Sequence, residues 1–160
     1  MSYNSKRMIA NIIAGALVAT AYIIYALSEH SPEPDDLKSW AVAMLVFIGI
    51  AIAAIIVVQI LFHYILTLSV VIKHRDSYRN IDRIINSITA EDERDNIIEL
   101  KTGRIGYAFA GLGFIFMLLA LATGMSGIFA LHVMLGSTSA GSLFEGIASV
   151  YYYEMGVGNG

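Results

Sequence analysis

The chain has 160 residues, 57% hydrophobic and 14% charged, with a formal net charge of −3 and no cysteine. Its mean hydropathy of +0.68 is too high for an ordinary soluble domain. No cysteine means no disulfide framework, thiol nucleophile or Cys-based zinc site, and with no basic tract beyond Lys6-Arg7 there is no footprint for nucleic acid.

The apolar residues come in blocks, and a block of about 18 or more reads as a bilayer span. Residues 1–7 are polar; the first span is expected over 8–27, interrupted only by Asn11 and Thr20. About 20 residues at ~1.5 Å each cross a core of ~30 Å. A cleaved signal peptide is the competing reading, since Ala26-Leu27-Ser28 offers small residues, but the apolar region is longer than the usual signal core. The outer loop, 28–38, holds both prolines, Pro32 and Pro34, and the acids Glu29, Glu33, Asp35 and Asp36 against Lys38. Asp35 or Asp36 suits a helix start, because a carboxylate accepts the free N–H groups there. Trp40 stands where an indole favours the water–lipid boundary.

The second span is expected over 40–66, with apolar character continuing to Ile72, so the helix tilts or runs on past the bilayer. Gln59, His63 and Thr67 share one face at i, i+4, i+8. Residues 73–104 form the one sizeable polar segment. Ile81, Ile84, Ile85 and Ile88 lie opposite Arg79 and Arg83, which predicts a short amphipathic helix over 76–88. Asn86-Ser87 and Thr89 are expected to break it. Thr89 would then cap a new helix with Glu91, Asp92 and Glu93 at its positive end. That helix is predicted from Ala90 to Thr123, roughly 50 Å at the standard rise.

Within it, Glu91, Asp95 and Glu99 share a face. A solvated face with Lys101 and Arg104 snorkelling to the lipid boundary is the plain explanation. The functional alternative is a docking surface for a cytosolic partner, made by Glu93, Arg94, Asp95, Glu99, Lys101 and Arg104. The third span is expected over 105–123, opening with Tyr107, and Gly124-Met125-Ser126-Gly127 makes a tight outer turn. The fourth, over 128–153, is the least apolar, with His132, Ser137, Thr138, Ser139, Ser142 and Glu145. Tyr151, Tyr152 and Tyr153, like Trp40 and Tyr107, are expected as interfacial anchors. Gly15/Ala19, Gly49/Ala53 and Gly106/Ala110 are small-xxx-small pairs that suit close helix approach.

Glu145 is the most informative single residue, because an ionisable group within a span costs roughly 2.5 kcal/mol or more. It lies about 26 Å below the outer start of its span, and Gln59 about 28 Å below Trp40, at the helical rise. An intramembrane polar cluster of Gln59, His63 and Glu145 is therefore expected. It serves either as a hydrogen-bonded clamp between helices or as a proton- or ligand-sensing site. No paired-histidine spacing points to a metal, and no HExxH, nucleophile elbow or P-loop points to catalysis. Neither a cofactor nor an enzymatic activity is expected.

Lys6-Arg7, Lys73, Arg75, Arg79, Arg83, Lys101 and Arg104 all fall on one side of a four-span arrangement. That side is expected to be cytosolic, with both termini in it.

Asp92-Glu93-Arg94-Asp95, then Ile98-Glu99, Lys101 and Arg104 before a span opening with Tyr107, resembles the signature of a family of small four-span prokaryotic membrane proteins. In that family a DERD-type run is followed by a Lys and an Arg, and the last span carries a buried Glu and ends in aromatics. Glu145 and Tyr151-Tyr152-Tyr153 match that ending. The family usually closes on a basic pair and glycine, where this chain has Glu154-Met155-Gly156, so the resemblance does not extend to anionic-lipid binding at this end. Its function is unknown, and some members resemble companions of small helix-turn-helix regulators.

The expected fold is all-α: a single polytopic domain over 1–160, its four transmembrane helices arranged as two hairpins joined by a charged helical cytosolic linker at 73–104. The expected function is a non-enzymatic regulator or sensor of the prokaryotic inner membrane that presents this linker to a cytosolic protein, with a homodimer compatible. A transport- or immunity-type protein using Gln59, His63 and Glu145 is the alternative.

Overall fold

Both prolines lie in one loop, so no long apolar stretch of this chain contains a helix breaker stronger than glycine. The structure, a computed structural model, describes the backbone of residues 3–73 and 81–156, and the side chains of 4–65 and 93–156. It contains four helices: α1 (Tyr3–Ala26), α2 (Leu37–Lys73), α3 (Ile81–Ala122) and α4 (Gly127–Met155). Each is long and apolar enough to cross a membrane. Their outer faces carry Leu17, Leu45, Ile56, Phe116 and Leu119, all exposed, which is compatible with helices that could cross a membrane.

α2 begins at an aspartate cap. Asp36 accepts the backbone N–H of Ser39 at 3.0 Å through Oδ1 and the Ser39 hydroxyl through Oδ2. The cap is Asp36 rather than Asp35 because its oxygen stands three residues before the free N–H it satisfies. These bonds to Ser39 hold the Asp36 carboxyl below its ordinary value of 3.8. A depressed folded value means the cap is at full strength above the unfolded value and is lost as pH falls through the folded one. We expect Asp36→Ala to loosen the first turn of α2 and Asp36→Asn, which keeps the acceptor, to preserve it. Amide exchange at Ser39 reads both, and equal protection in the two variants would rule out the cap.

The turn into α4 needs a glycine, because Gly124 has φ +83°. Ser126 then caps α4, its hydroxyl accepting from the Phe129 N–H at 3.2 Å.

α3 departs from expectation. No break occurs at Asn86-Ser87 and Thr89 lies within the helix rather than at its start; one helix of 42 residues runs from Ile81 to Ala122. Asn, Ser and Thr cost only ~0.5 kcal/mol each inside a helix, and neither glycine nor proline occurs between Ile81 and Thr102. The expected amphipathic face over 76–88 lies outside the residues described by side chain. α2 does run on, remaining helical to Lys73.

α4 is the central helix. It packs most extensively on α3 and then on α1; α1 packs on α2, which touches α4 only lightly, and α2 and α3 do not approach one another among the described residues. Close approach through small residues occurs between α3 and α4, where Gly106, Gly113 and Gly141 face the neighbouring helix. Gly15 and Gly49 face open space, with no neighbouring helix within 4 Å of where a β-carbon would stand.

Candidate functional site

At the end of the bundle where α1 begins and α4 finishes, three helices converge on a partly polar core. Ser5 of α1, Ile98 and Thr102 of α3, and Ser149 and Tyr153 of α4 are all buried. Buried hydroxyls need acceptors, and two find them in their own helices: Thr102 donates to the Ile98 carbonyl and Ser149 to the Glu145 carbonyl, both at 2.9 Å.

Asp95 and Arg94 tie the helices together. The Asn4 amide donates to both Asp95 carboxylate oxygens, at 2.9 and 3.2 Å, joining α1 to α3. The Tyr153 phenol also meets the Asp95 carboxylate. Arg94 donates to the Tyr153 carbonyl at 2.9 Å, one of the last-turn region of α4 where partial negative charge favours a cation. Adjacent residues on a helix point ~100° apart, so Arg94 and Asp95 reach different partners. Of the six residues expected to form a docking surface, Arg94, exposed, and Asp95, half-buried, are thus tied to neighbouring helices.

The other expected residues divide by environment. Glu93, Glu99 and Arg104 are exposed. The Lys101 ammonium lies 5.9 Å from the centre of the Tyr152 ring. Tyr107 and Tyr151 are exposed, as a boundary anchor would be, whereas Tyr153 is buried. Trp40 is buried as well. Its indole N–H donates to the Glu33 carbonyl at 3.1 Å, and its ring meets His132 edge-on at 4.9 Å.

His132 anchors the opposite end. Its Nδ1 lies 2.8 Å from the Ile128 carbonyl and its Nε2 3.0 Å from the Tyr22 hydroxyl. A carbonyl only accepts, so Nδ1 donates to Ile128, while Nε2 and the Tyr22 hydroxyl share the second hydrogen bond. Phe47 completes the cluster with an edge contact to Tyr22 at 5.2 Å.

Glu145 turns toward α3, against Gly106, where the missing side chain leaves room for the carboxylate. It lies in an open groove of about 840 Å³ between α3 and α4, lined also by Asn96, Glu99, Arg104 and Tyr107. Gln59 and His63, exposed on α2, do not line this groove. Among the described residues, no group of three His, Cys, Asp or Glu side chains is placed to hold a metal.

Asn4 and Tyr22 were not singled out by the sequence. Asn4 is one polar residue in a polar N-terminal run, and nothing in its spacing points to Asp95, far along the chain.

These features define an all-α protein of four membrane-length helices, knotted by polar contacts at one end and by an aromatic–histidine cluster at the other. No family model, curated protein or solved structure matches the chain.

Proposed function

We propose that this is a multi-pass protein of the prokaryotic cell membrane, with both termini cytosolic, acting as a non-enzymatic regulator or sensor. In this reading α1–α2 and α3–α4 are hairpins joined by the charged segment 73–104, which is presented to a cytosolic protein partner. The basic residues gathered on one side support the orientation, and the DERD-type resemblance supports the architecture without adding an activity.

The observation that carries the proposal is the length of α3. Its 42 unbroken residues extend ~63 Å, about twice the hydrocarbon core. The excess forms an arm continuous with a span, so movement of the span in the bundle moves the arm. The Arg94 and Asp95 contacts fix the base of that arm to α4 and α1. With Asp95 half-buried and Arg94 held to the Tyr153 carbonyl, the freest part of this surface is Glu93 and Glu99 together with their exposed neighbours Asn96 and Ile97.

Because the chain has no cysteine, single engineered cysteines report topology cleanly. In intact cells, an impermeant maleimide should label Ser31→Cys and not Asn96→Cys. A photo-crosslinker at Ile97 should then trap one cytosolic protein that a crosslinker at Leu17, on the lipid face, does not. Labelling of Asn96→Cys from outside would reverse the orientation, and only lipid or self adducts at Ile97 would end the docking reading.

A further inference from the structure

The groove between α3 and α4 holds charges of both signs that are unmatched among the described residues. The Glu145 carboxylate has no hydrogen-bond or ion-pair partner among the described residues, and a second acid, Glu99, lines the same groove. Arg104 lines the same groove, exposed and without an ion pair among the described residues. α2 does not reach α3, so it does not cover this side of the bundle.

We propose that this groove binds a zwitterionic glycerophospholipid whose headgroup carries a primary ammonium, the phosphatidylethanolamine class. The ammonium sits between Glu99 and Glu145, and the phosphate is met by Arg104. A primary ammonium supplies three N–H donors and can serve both carboxylates at once. A guanidinium matches phosphate oxygens in a planar fork. A quaternary headgroup neutralises the acids but donates no hydrogen bond, and an anionic headgroup satisfies Arg104 while adding repulsion at Glu99 and Glu145.

Position agrees with chemistry. Arg104 stands immediately before the apolar run beginning at Ile105, where the headgroup layer is reached, and Glu145 lies level with Gly106 just inside it. From Asn96 to Ala110 the groove follows α3 for ~21 Å, enough for a headgroup and the upper part of an acyl chain. Tyr107 and Ala110 line the deeper part.

The assignment rests on α3 and α4 being membrane spans, as in the proposed function, but not on the arm having a partner. The test is lipid retention by the full-length protein, purified in detergent and examined by native mass spectrometry. Phosphatidylethanolamine, phosphatidylcholine and phosphatidylglycerol of matched chains are offered in equal amounts. The wild type should retain phosphatidylethanolamine about tenfold over each of the others, the weight of one charge-assisted hydrogen bond. Glu145→Gln and Arg104→Gln should each remove that preference while thermal unfolding in lipid-free detergent stays at the wild-type midpoint. Equal retention of the three lipids, preference for phosphatidylglycerol, or a preference that survives both substitutions would overturn the assignment. So would a stable dimer that excludes all three lipids, since a second copy would then occupy the groove. Loss of crosslinking at Ile97 with lipid preference intact would count against the docking arm alone.

Discussion

Asp95→Ala is expected to lower the thermal midpoint of the purified protein by roughly 5–10 °C. The carboxylate takes two hydrogen bonds from the Asn4 amide and meets the Tyr153 phenol, so its removal strips α1 and α4 of their shared contact on α3. Hydrogen bonds to a charged group are worth about 1.5–3 kcal/mol, and ~1 kcal/mol moves the midpoint of a domain this size by about 2–4 °C. Hydrogen bonds between helices in lipid average only ~0.6 kcal/mol, because the separated helices also find partners. Asp95 should exceed that average: it is charged, two-handed toward Asn4, and set beside buried Tyr153. Arg94→Ala should cost less, about 0.5–1 kcal/mol, since its guanidinium is exposed and water can take over the carbonyl it serves. A double-mutant cycle isolates the α1 contact: Asn4→Ala and Asp95→Ala together should cost clearly less than the sum of the two alone. Additive costs would mean that Asn4 and Asp95 do not act as a pair.

That Arg94 and Asp95 are structural ties was hidden in the sequence for a definite reason. Periodicity places residues on a face of one helix, but it does not say which other helix covers that face. The blocks that revealed the four helices are apolar nearly all round, as in any helix able to cross a membrane, so they carry little information on azimuth. The same limit applies to Glu145. The rise per residue gives a height along the helix and sets it beside Gln59 and His63, yet the side chain is received on α3, where Gly106 leaves the space. Trp40 was legible as a residue near the end of a span, whereas its burial depends on His132 lying opposite, which sequence spacing does not show. Local chemistry was easier to read. The aspartate start of α2 and the glycine turn before α4 depend on neighbours only a few residues away. The expected break at Asn86-Ser87 erred by treating residues that disfavour a helix weakly as residues that stop one.

The largest effect is expected at Gly141, on the α4 face that meets α3. A β-carbon there would stand 2.7 Å from the β-carbon of Phe109 and 3.3 Å from the carbonyl oxygen of Gly106. Neither obstacle can rotate aside, because one is the root of a side chain and the other is backbone. Relief therefore requires the helices to part. Overpacking costs about 1–3 kcal/mol and occasionally more, so Gly141→Ala should already lower the midpoint and Gly141→Leu should do so by more than ~10 °C. The contacts at stake lie close by: Ser137 donates to the Phe109 carbonyl at 2.6 Å, and Phe109 stacks on Phe144 with ring centres 5.1 Å apart. Parting the helices also widens the Gly106–Glu145 approach, so Gly141→Leu should weaken lipid retention in the groove, whereas Arg94→Ala should not. Gly136→Leu is the matched control, since a β-carbon at Gly136 meets nothing within 4 Å. Thermal unfolding of the three variants, with disulfide capture between cysteines placed at Ala110 and Thr138, measures both stability and helix separation. If Gly141→Leu unfolds with the control and still forms the disulfide at the rate of the cysteine-bearing parent, α3 and α4 are not held together at this crossing.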